Sequence, residues 1–249
     1  MLYFRQFADS PKSRCHGALC INNSMDKIVD ILRNGGVAAL PTDNLFCLAA
    51  DASNETAVNK IFEIKGRSDS SAIPILIADF SDVEKYTIDY PNRLELILDK
   101  YWPGELTIIL KKAATVAPNL SPGMDTIGIR IPNSEFIRSV VRELGKPITG
   151  TSANLSGDAP AMSSAQVELS LGNKLDFIYK NATTKGGLPS TVLDLSTMPA
   201  RILRHGAIDK SELQSTLKLH KLDFEDEELT FLVFLYCDGE YVTSIQGDY

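Results

Sequence analysis

Four segments far apart in the chain each close an expected strand or helix with residues suited to holding an anion: Lys65-Gly66-Arg67, Gly128-Ile129-Arg130, Thr151-Ser152-Ala153-Asn154-Leu155-Ser156-Gly157 and Arg204-His205-Gly206. Fixed cations beside small hydroxyls and an amide are what a phosphate chain requires. A chain that carries such groups at the ends of successive elements has to fold so that those ends meet, as they do where strands deliver polar loops to one edge of a sheet. The combination reads as a nucleotide site.

Periodicity and punctuation locate the elements. A helix over residues 24–34, capped by Ser24 and facing inward with Ile28, Val29, Ile31 and Leu32, stops at Gly35-Gly36. The apolar run 37–40 reads as a buried strand closed by the turn Pro41-Thr42-Asp43-Asn44. Asn54 caps a second helix that turns Val58, Ile61, Phe62 and Ile64 inward and ends on Lys65 and Arg67, where cations suit the negative end of its dipole. Strands are expected over 73–78, where Pro74 suggests an edge or a bulge, and over 106–110, 127–131 and 148–149. Helices are expected over 93–101 and 134–144, with a loop at 118–125. A weak helix at 163–171 precedes strands at 176–179, 191–195 and 200–203, with a turn at 186–189. The fold class is α/β, with a mixed sheet and helices packed around it.

Residues 1–22 read as an N-terminal arm, 23–210 as the nucleotide-binding domain and 211–249 as a C-terminal appendage. The appendage holds a short helix, the acidic run Asp223-Phe224-Glu225-Asp226-Glu227-Glu228 and an apolar segment from Leu229 to Tyr236, and is expected to pack on the main domain. With 249 residues, 44% of them apolar, the chain can bury a substantial core. A net charge of −7 argues against gripping nucleic acid over the whole surface, while leaving room for a local basic cleft.

Cys15, Cys20, Cys47 and Cys237 lack the paired spacing of a zinc module and are too few for a disulfide scaffold, which suits a reducing compartment. The Cys15-His16-Gly17-Ala18-Leu19-Cys20 cluster lacks a second pair of ligands, so no metal site is expected. No apolar run reaches the length needed to cross a bilayer, and no membrane partner is expected. Arg5, Lys12 and Arg14 against Asp9 leave organellar targeting open beside the expected cytoplasmic location.

The chemistry is rich in clamps and poor in bases. Lys146 follows Gly145 but is succeeded by Pro147, so there is no Walker loop. His16, His205 and His220 stand beside no serine or cysteine nucleophile, and no Gly-x-Ser-x-Gly elbow occurs. That balance suits a reaction whose substrate brings its own nucleophile while the protein supplies alignment and neutralises charge at phosphorus. Nucleotidyl transfer is of this type, with a magnesium ion accompanying ATP.

Seven motifs in order and spacing resemble the YrdC-type threonylcarbamoyl-AMP synthases: Pro41-Thr42-Asp43, Lys65-Gly66-Arg67, Trp102-Pro103-Gly104, Gly128-Ile129-Arg130-Ile131-Pro132, the segment 151–157, Pro189-Ser190-Thr191-Val192 and Arg204-His205-Gly206. The resemblance, over about Ser24 to Ile208, implies a twisted mixed parallel/antiparallel open sheet with a concave cationic face. It implies conversion of L-threonine, bicarbonate and ATP to threonylcarbamoyl-AMP and pyrophosphate, with Mg2+ arriving on ATP. The product would feed a downstream threonylcarbamoyl transferase complex acting on tRNA, and a basic concavity would permit weak RNA binding. Carried over by position, Lys65 and Arg67 are the catalytic cations at the phosphates. Ser71, Thr126, Ser152, Asn154 and Arg204 join them at ATP, and Asn44, Arg130 and Ser190 hold threonine, Arg130 gripping its carboxylate.

Bland alternatives stand beside these roles. Lys65 and Arg67 suit the negative end of a helix dipole, Arg130 suits a structural ion pair, and Ser152 and Asn154 suit a tight turn. Where the family usually reads Pro-Thr-Asp-Thr, then an aromatic residue and glycine, this chain has Asn44, Phe46 and Cys47. Cys47 removes a glycine's freedom at positive φ, so the loop is expected to sit differently, and Asn44→Thr is expected to preserve or improve threonine affinity. Ser71 stands where another lysine is common. An impaired relative that only binds nucleotide or RNA is one alternative, and the carbamoyl transfer of hydrogenase maturation proteins another, the latter disfavoured because its zinc-finger and acylphosphatase regions have no counterpart here.

Overall fold

The computed structural model describes residues 17–66, 71–91, 94–185 and 187–219; Arg67 and the acidic run 223–228 lie outside them. The helices are α1 (Gly17–Arg33), α2 (Glu55–Lys65), α3 (Val83–Tyr86), α4 (Leu94–Tyr101), α5 (Glu135–Leu144), α6 (Ser164–Leu171) and α7 (Lys210–Leu219). The strands are β1 (Ala38–Pro41), β2 (Phe46–Ala49), β3 (Ile75–Leu76), β4 (Thr87–Asp89), β5 (Leu106–Lys112) and β6 (Thr126–Arg130), followed by β7 (Ile148–Thr149), β8 (Thr151–Ser152), β9 (Phe177–Ile178), β10 (Thr191–Asp194) and β11 (Arg201–Arg204).

The expected mixed α/β architecture is present, but its strands form two hydrogen-bonded sheets. The smaller has the order β8-β2-β1-β9; the larger runs β11-β10-β5-β6-β3-β7, with β4 beside β5. Chain 148–152 belongs to both, because β7 pairs with β3 and β8 with β2. Gly150 is the crossing point. Its N–H donates to the Pro74 carbonyl at 2.8 Å, and a Cβ there would lie 2.8 Å from Leu76 Cδ2, so the two strands approach only over a bare backbone.

Strand β2 was absent from the sequence expectation. It pairs with β1 around the 42–45 turn, Leu40 opposite Cys47, and all four of its residues are buried. Phe46 and Leu48 enter one core with α2, α4 and the large sheet, while Cys47 and Ala49 enter a second with α1 and α5. A strand covered on both faces shows no polar alternation, which is why periodicity misses it.

Other boundaries moved for local reasons. Ser24 lies inside α1, so it is not that helix's cap. Pro74 precedes β3, which is an interior strand between β6 and β7, so the missing N–H falls before the ladder begins. Asn54 does cap α2, accepting from Thr56 and Ala57 N–H, and Ser163 caps α6 in a reciprocal box with Gln166. The start of the appendage packs as α7: Leu213 and Leu217, four residues apart on one face, are fully buried in the main core. Thr216 Oγ1 lies 2.9 Å from Tyr101 Oη, and Lys100 pairs with Glu212 at 2.9 Å.

Candidate nucleotide and amino-acid site

Helix α2 ends where Gly66 takes φ 61°, and the last side chain before it turns inward. Lys65 is only 4% exposed. Its Nζ donates to the carbonyls of Ser152 and Asn154 at 2.8 and 3.0 Å and to Asn154 Oδ1 at 3.3 Å. In return Ser156 N–H donates to the Lys65 carbonyl at 3.0 Å. Asn154 Nδ2 donates to the carbonyls of Leu155 and Asp158, and Ser152 Oγ approaches Asn154 Oδ1 at 2.5 Å. A solvated helix-end charge would make no such contacts. Lys65, Ser152 and Asn154 are one unit in which an ammonium shapes the 151–157 turn, and both readings of the Ser/Asn cluster, turn builder and polar site, describe the same atoms.

A second group forms at the end of β6. Arg130, 7% exposed, donates from Nε to the Gly104 carbonyl at 2.8 Å, from Nη1 to Asn44 Oδ1 at 3.3 Å and from Nη2 to Asp43 Oδ1 at 2.6 Å. Asp43 Oδ2 accepts from Asn133 N–H at 3.0 Å. The structural ion pair is therefore real, yet these bonds engage three of five guanidinium N–H groups. Asn44 is 2% exposed and its carboxamide is committed to protein: Oδ1 also accepts from Leu45 N–H at 3.0 Å, and Nδ2 donates to the Leu188 carbonyl at 3.2 Å.

That last bond ties the second group to a third. Arg204 donates from Nε and Nη2 to the Ser190 carbonyl at 3.1 and 2.9 Å, and from Nη2 to Ser190 Oγ at 3.1 Å. Ser190 Oγ lies 2.8 Å from Thr107 Oγ1 on β5. Gly206 makes the approach possible, since a Cβ there would meet the Pro189 carbonyl at 2.3 Å. Burial of the guanidinium, and next the nearby charge of Arg130, hold Arg204 below the ordinary arginine range. Asp43 offsets Arg130, so the attraction for an anion at this place comes chiefly from Arg204.

The structure thus brings Asn44, Arg130, Ser190 and Arg204 together, and Lys65, Ser152 and Asn154 together, with β2 joining the two sets through the Cys47–Ser152 pairing and the 2.8 Å bond from Ala153 N–H to the Phe46 carbonyl. Thr126 begins β6 at the end opposite Arg130, and Ser71 precedes β3 by four residues in the chain. These strands are parallel with Ile75 opposite Ile129, and Thr126 is about 13 Å along β6 from Arg130 at the usual strand rise. Asp43, Gly104 and Thr107 were not among the expected site residues. Asp43 and Gly104 each lie in a motif of the resemblance, Pro41-Thr42-Asp43 and Trp102-Pro103-Gly104, but nothing in either motif names Arg130 as the partner.

Cys47 needs no positive φ. It lies in regular strand, and among the described residues the only non-glycine with positive φ is Asn181. Burial pushes its thiol up to about 12. The Cys47 peptide is expected to resist iodoacetamide at pH 8 in the folded protein and to be alkylated in denaturant, as read by peptide mass mapping. Because the thiolate forms more readily in the unfolded chain, stability should be full below about pH 9 and fall as pH rises toward 12, and Cys47→Ala should flatten that slope.

A family profile, Sua5/YciO/YrdC, described as telomere recombination, matches residues 30–206. The threonylcarbamoyl-AMP synthase of Pyrococcus abyssi is 33% identical over 186 residues, 75% of this chain and 55% of its own length. That of Nitrosococcus oceani is 33% identical over 175 residues, 70% of this chain and 95% of its own. The crystal structure of P. abyssi Sua5 complexed with L-threonine aligns with a TM-score of 0.76 at 30% identity, covering 81% of this chain and 58% of that one. The chain thus spans little more than half the length of its P. abyssi relative.

Proposed function

Because the chain belongs to the Sua5/YciO/YrdC family, we propose that it synthesises L-threonylcarbamoyl-AMP from L-threonine, bicarbonate and ATP, acting as a nucleotidyltransferase. The observation that carries the proposal is the meeting of Arg130, Arg204 and Ser190 beside the Lys65–Ser152–Asn154 unit, in a fold whose P. abyssi counterpart was crystallised with L-threonine.

In this mechanism the threonine amine forms an N–C bond to carbon from bicarbonate, with loss of water. A carbamate oxygen then forms an O–P bond at the ATP α-phosphorus, and the bond to the β-phosphate breaks to release pyrophosphate. Arg130 and Arg204 hold the threonine carboxylate and the nucleotide, and Ser190 orients them. Lys65 holds the 151–157 turn in the shape that lets Ser152 and Asn154 meet ATP, and with Arg67 it offsets charge at the phosphates. Ser71 and Thr126 are assigned to ATP as further contacts. Among the described residues no group of three His, Cys, Asp or Glu side chains could hold a metal, so magnesium is taken to arrive on ATP, where its usual ligands are phosphates and water.

The product is a mixed anhydride and must be consumed by a transferase that passes the threonylcarbamoyl group to an adenosine of tRNA. No helix among the described residues is long and apolar enough to cross a membrane, and the cytoplasm is the proposed setting. The deciding assay is pyrophosphate release that requires both threonine and bicarbonate. Folded protein that binds ATP yet releases none would be a nucleotide-binding relative.

Asn44→Thr tests the pocket. The exchange loses the Nδ2 bond to the Leu188 carbonyl, worth about 1 kcal/mol. The KM for L-threonine is expected to rise about fivefold, reversing the expectation drawn from the motif, and unchanged steady-state kinetics would detach Asn44 from the pocket.

A further inference from the structure

We propose that Asp43 is a positioning residue of the amino-acid pocket, setting the guanidinium of Arg130 so that its unengaged N–H groups meet the substrate carboxylate. The proposal rests on the reading of Arg130 as the carboxylate clamp.

The orientation is over-determined. Each of the three nitrogens of Arg130 has a different partner: Gly104 carbonyl, Asn44 Oδ1 and Asp43 Oδ1. The Asp43 contact is the shortest, 2.6 Å, and the only charged one, between side chains 8% and 9% exposed. The carboxylate cannot turn away freely, because its other oxygen holds Asn133 N–H at 3.0 Å just past the end of β6. Asp43 therefore bridges the β1–β2 turn and the strand that carries Arg130, and one N–H on each terminal nitrogen is left for a carboxylate.

Charge points the same way. Arg130 and Asp43 cancel locally, which keeps the repulsion between Arg130 and Arg204 tolerable while leaving Arg204 to draw in the anion. An asparagine at this position keeps the shape but has a single acceptor oxygen, so it cannot satisfy both Arg130 Nη2 and Asn133 N–H. Arg130 would then lose its charged anchor and gain an uncompensated neighbour in Arg204.

Calorimetric titration of L-threonine and of ATP into the full chain, with steady-state pyrophosphate release, tests this in the unmodified protein, Asp43→Asn, Arg130→Lys and the double variant. Asp43→Asn should raise the threonine Kd and KM about tenfold or more, with the ATP Kd within about twofold and kcat at saturating threonine within about threefold. In the Arg130→Lys background it should add less than about twofold, since it acts through that arginine. If Asp43→Asn does not fold, Asp43→Ser is read the same way. An unchanged threonine Kd, an equal loss of ATP binding, or a full further tenfold on Arg130→Lys overturns the positioning role. Absence of threonine binding by the unmodified protein overturns the pocket itself, and the positioning role with it.

Discussion

Arg130→Ala is expected to abolish threonine-dependent pyrophosphate release and to lower the unfolding free energy by about 3–5 kcal/mol. The stability loss comes from Asp43, whose carboxylate would be left with no countercharge where it is only 9% exposed. Exposed pairs are worth at most about 1 kcal/mol, so the magnitude itself distinguishes a buried anchor from a surface contact. A second variant separates folding from function. Replacing both partners by apolar residues of similar volume, Arg130→Met with Asp43→Leu, removes the stranded charge and should recover most of the stability and none of the activity. Urea titration and the pyrophosphate assay measure the two separately. A loss below about 1 kcal/mol for Arg130→Ala would mean that water already reaches the pair.

Lys65→Met should be nearly as damaging, for a different reason. The apolar part of the side chain is retained, so what is removed is the ammonium and its bonds to the Ser152 and Asn154 carbonyls and Asn154 Oδ1. Leaving buried acceptors unsatisfied costs about 1–3 kcal/mol each, and a total near 3 kcal/mol is expected. Loss of a helix-end charge alone would cost about 0.3–1 kcal/mol. Turnover should fall by about a hundredfold or more if the proposed site is the working one, because the 151–157 turn loses its shape and the proposed phosphate site a cation. Lys65→Arg should not rescue either property: a planar fork cannot replace a compact ammonium in a closed slot. A variant with normal melting and near-normal turnover would return Lys65 to the status of an ordinary helix terminus.

Both predictions concern contacts that join residues 87 positions apart, Asp43 with Arg130 and Lys65 with Ser152. The residue types were legible, because arginine and lysine beside small polar turns are chemically suited to anions wherever they lie. Their partners were not. Arg130 was expected at a carboxylate, and the structure gives it a carboxylate from its own chain while leaving part of its fork unengaged. Asn44 was expected beside threonine, and nothing in the sequence hints that its carboxamide holds Arg130 and the Leu188 carbonyl.

The same division runs through the fold. Helix α2 could be read from Asn54 and the spacing of Val58, Ile61 and Phe62, since capping and amphipathic period are properties of a few neighbouring residues. Strand β2, the splitting of the strands into two sheets and the passage of 148–152 from one to the other could not. They depend on which distant backbones share hydrogen bonds and on how closely they pack at Gly150, and neither leaves a periodic trace. Chain order and side-chain chemistry thus settle what kind of groups the site contains and where the elements carrying them begin and end. Which cation meets which acceptor is settled by strand register, because energies of a few kcal/mol turn on contacts of about 3 Å that no local pattern specifies.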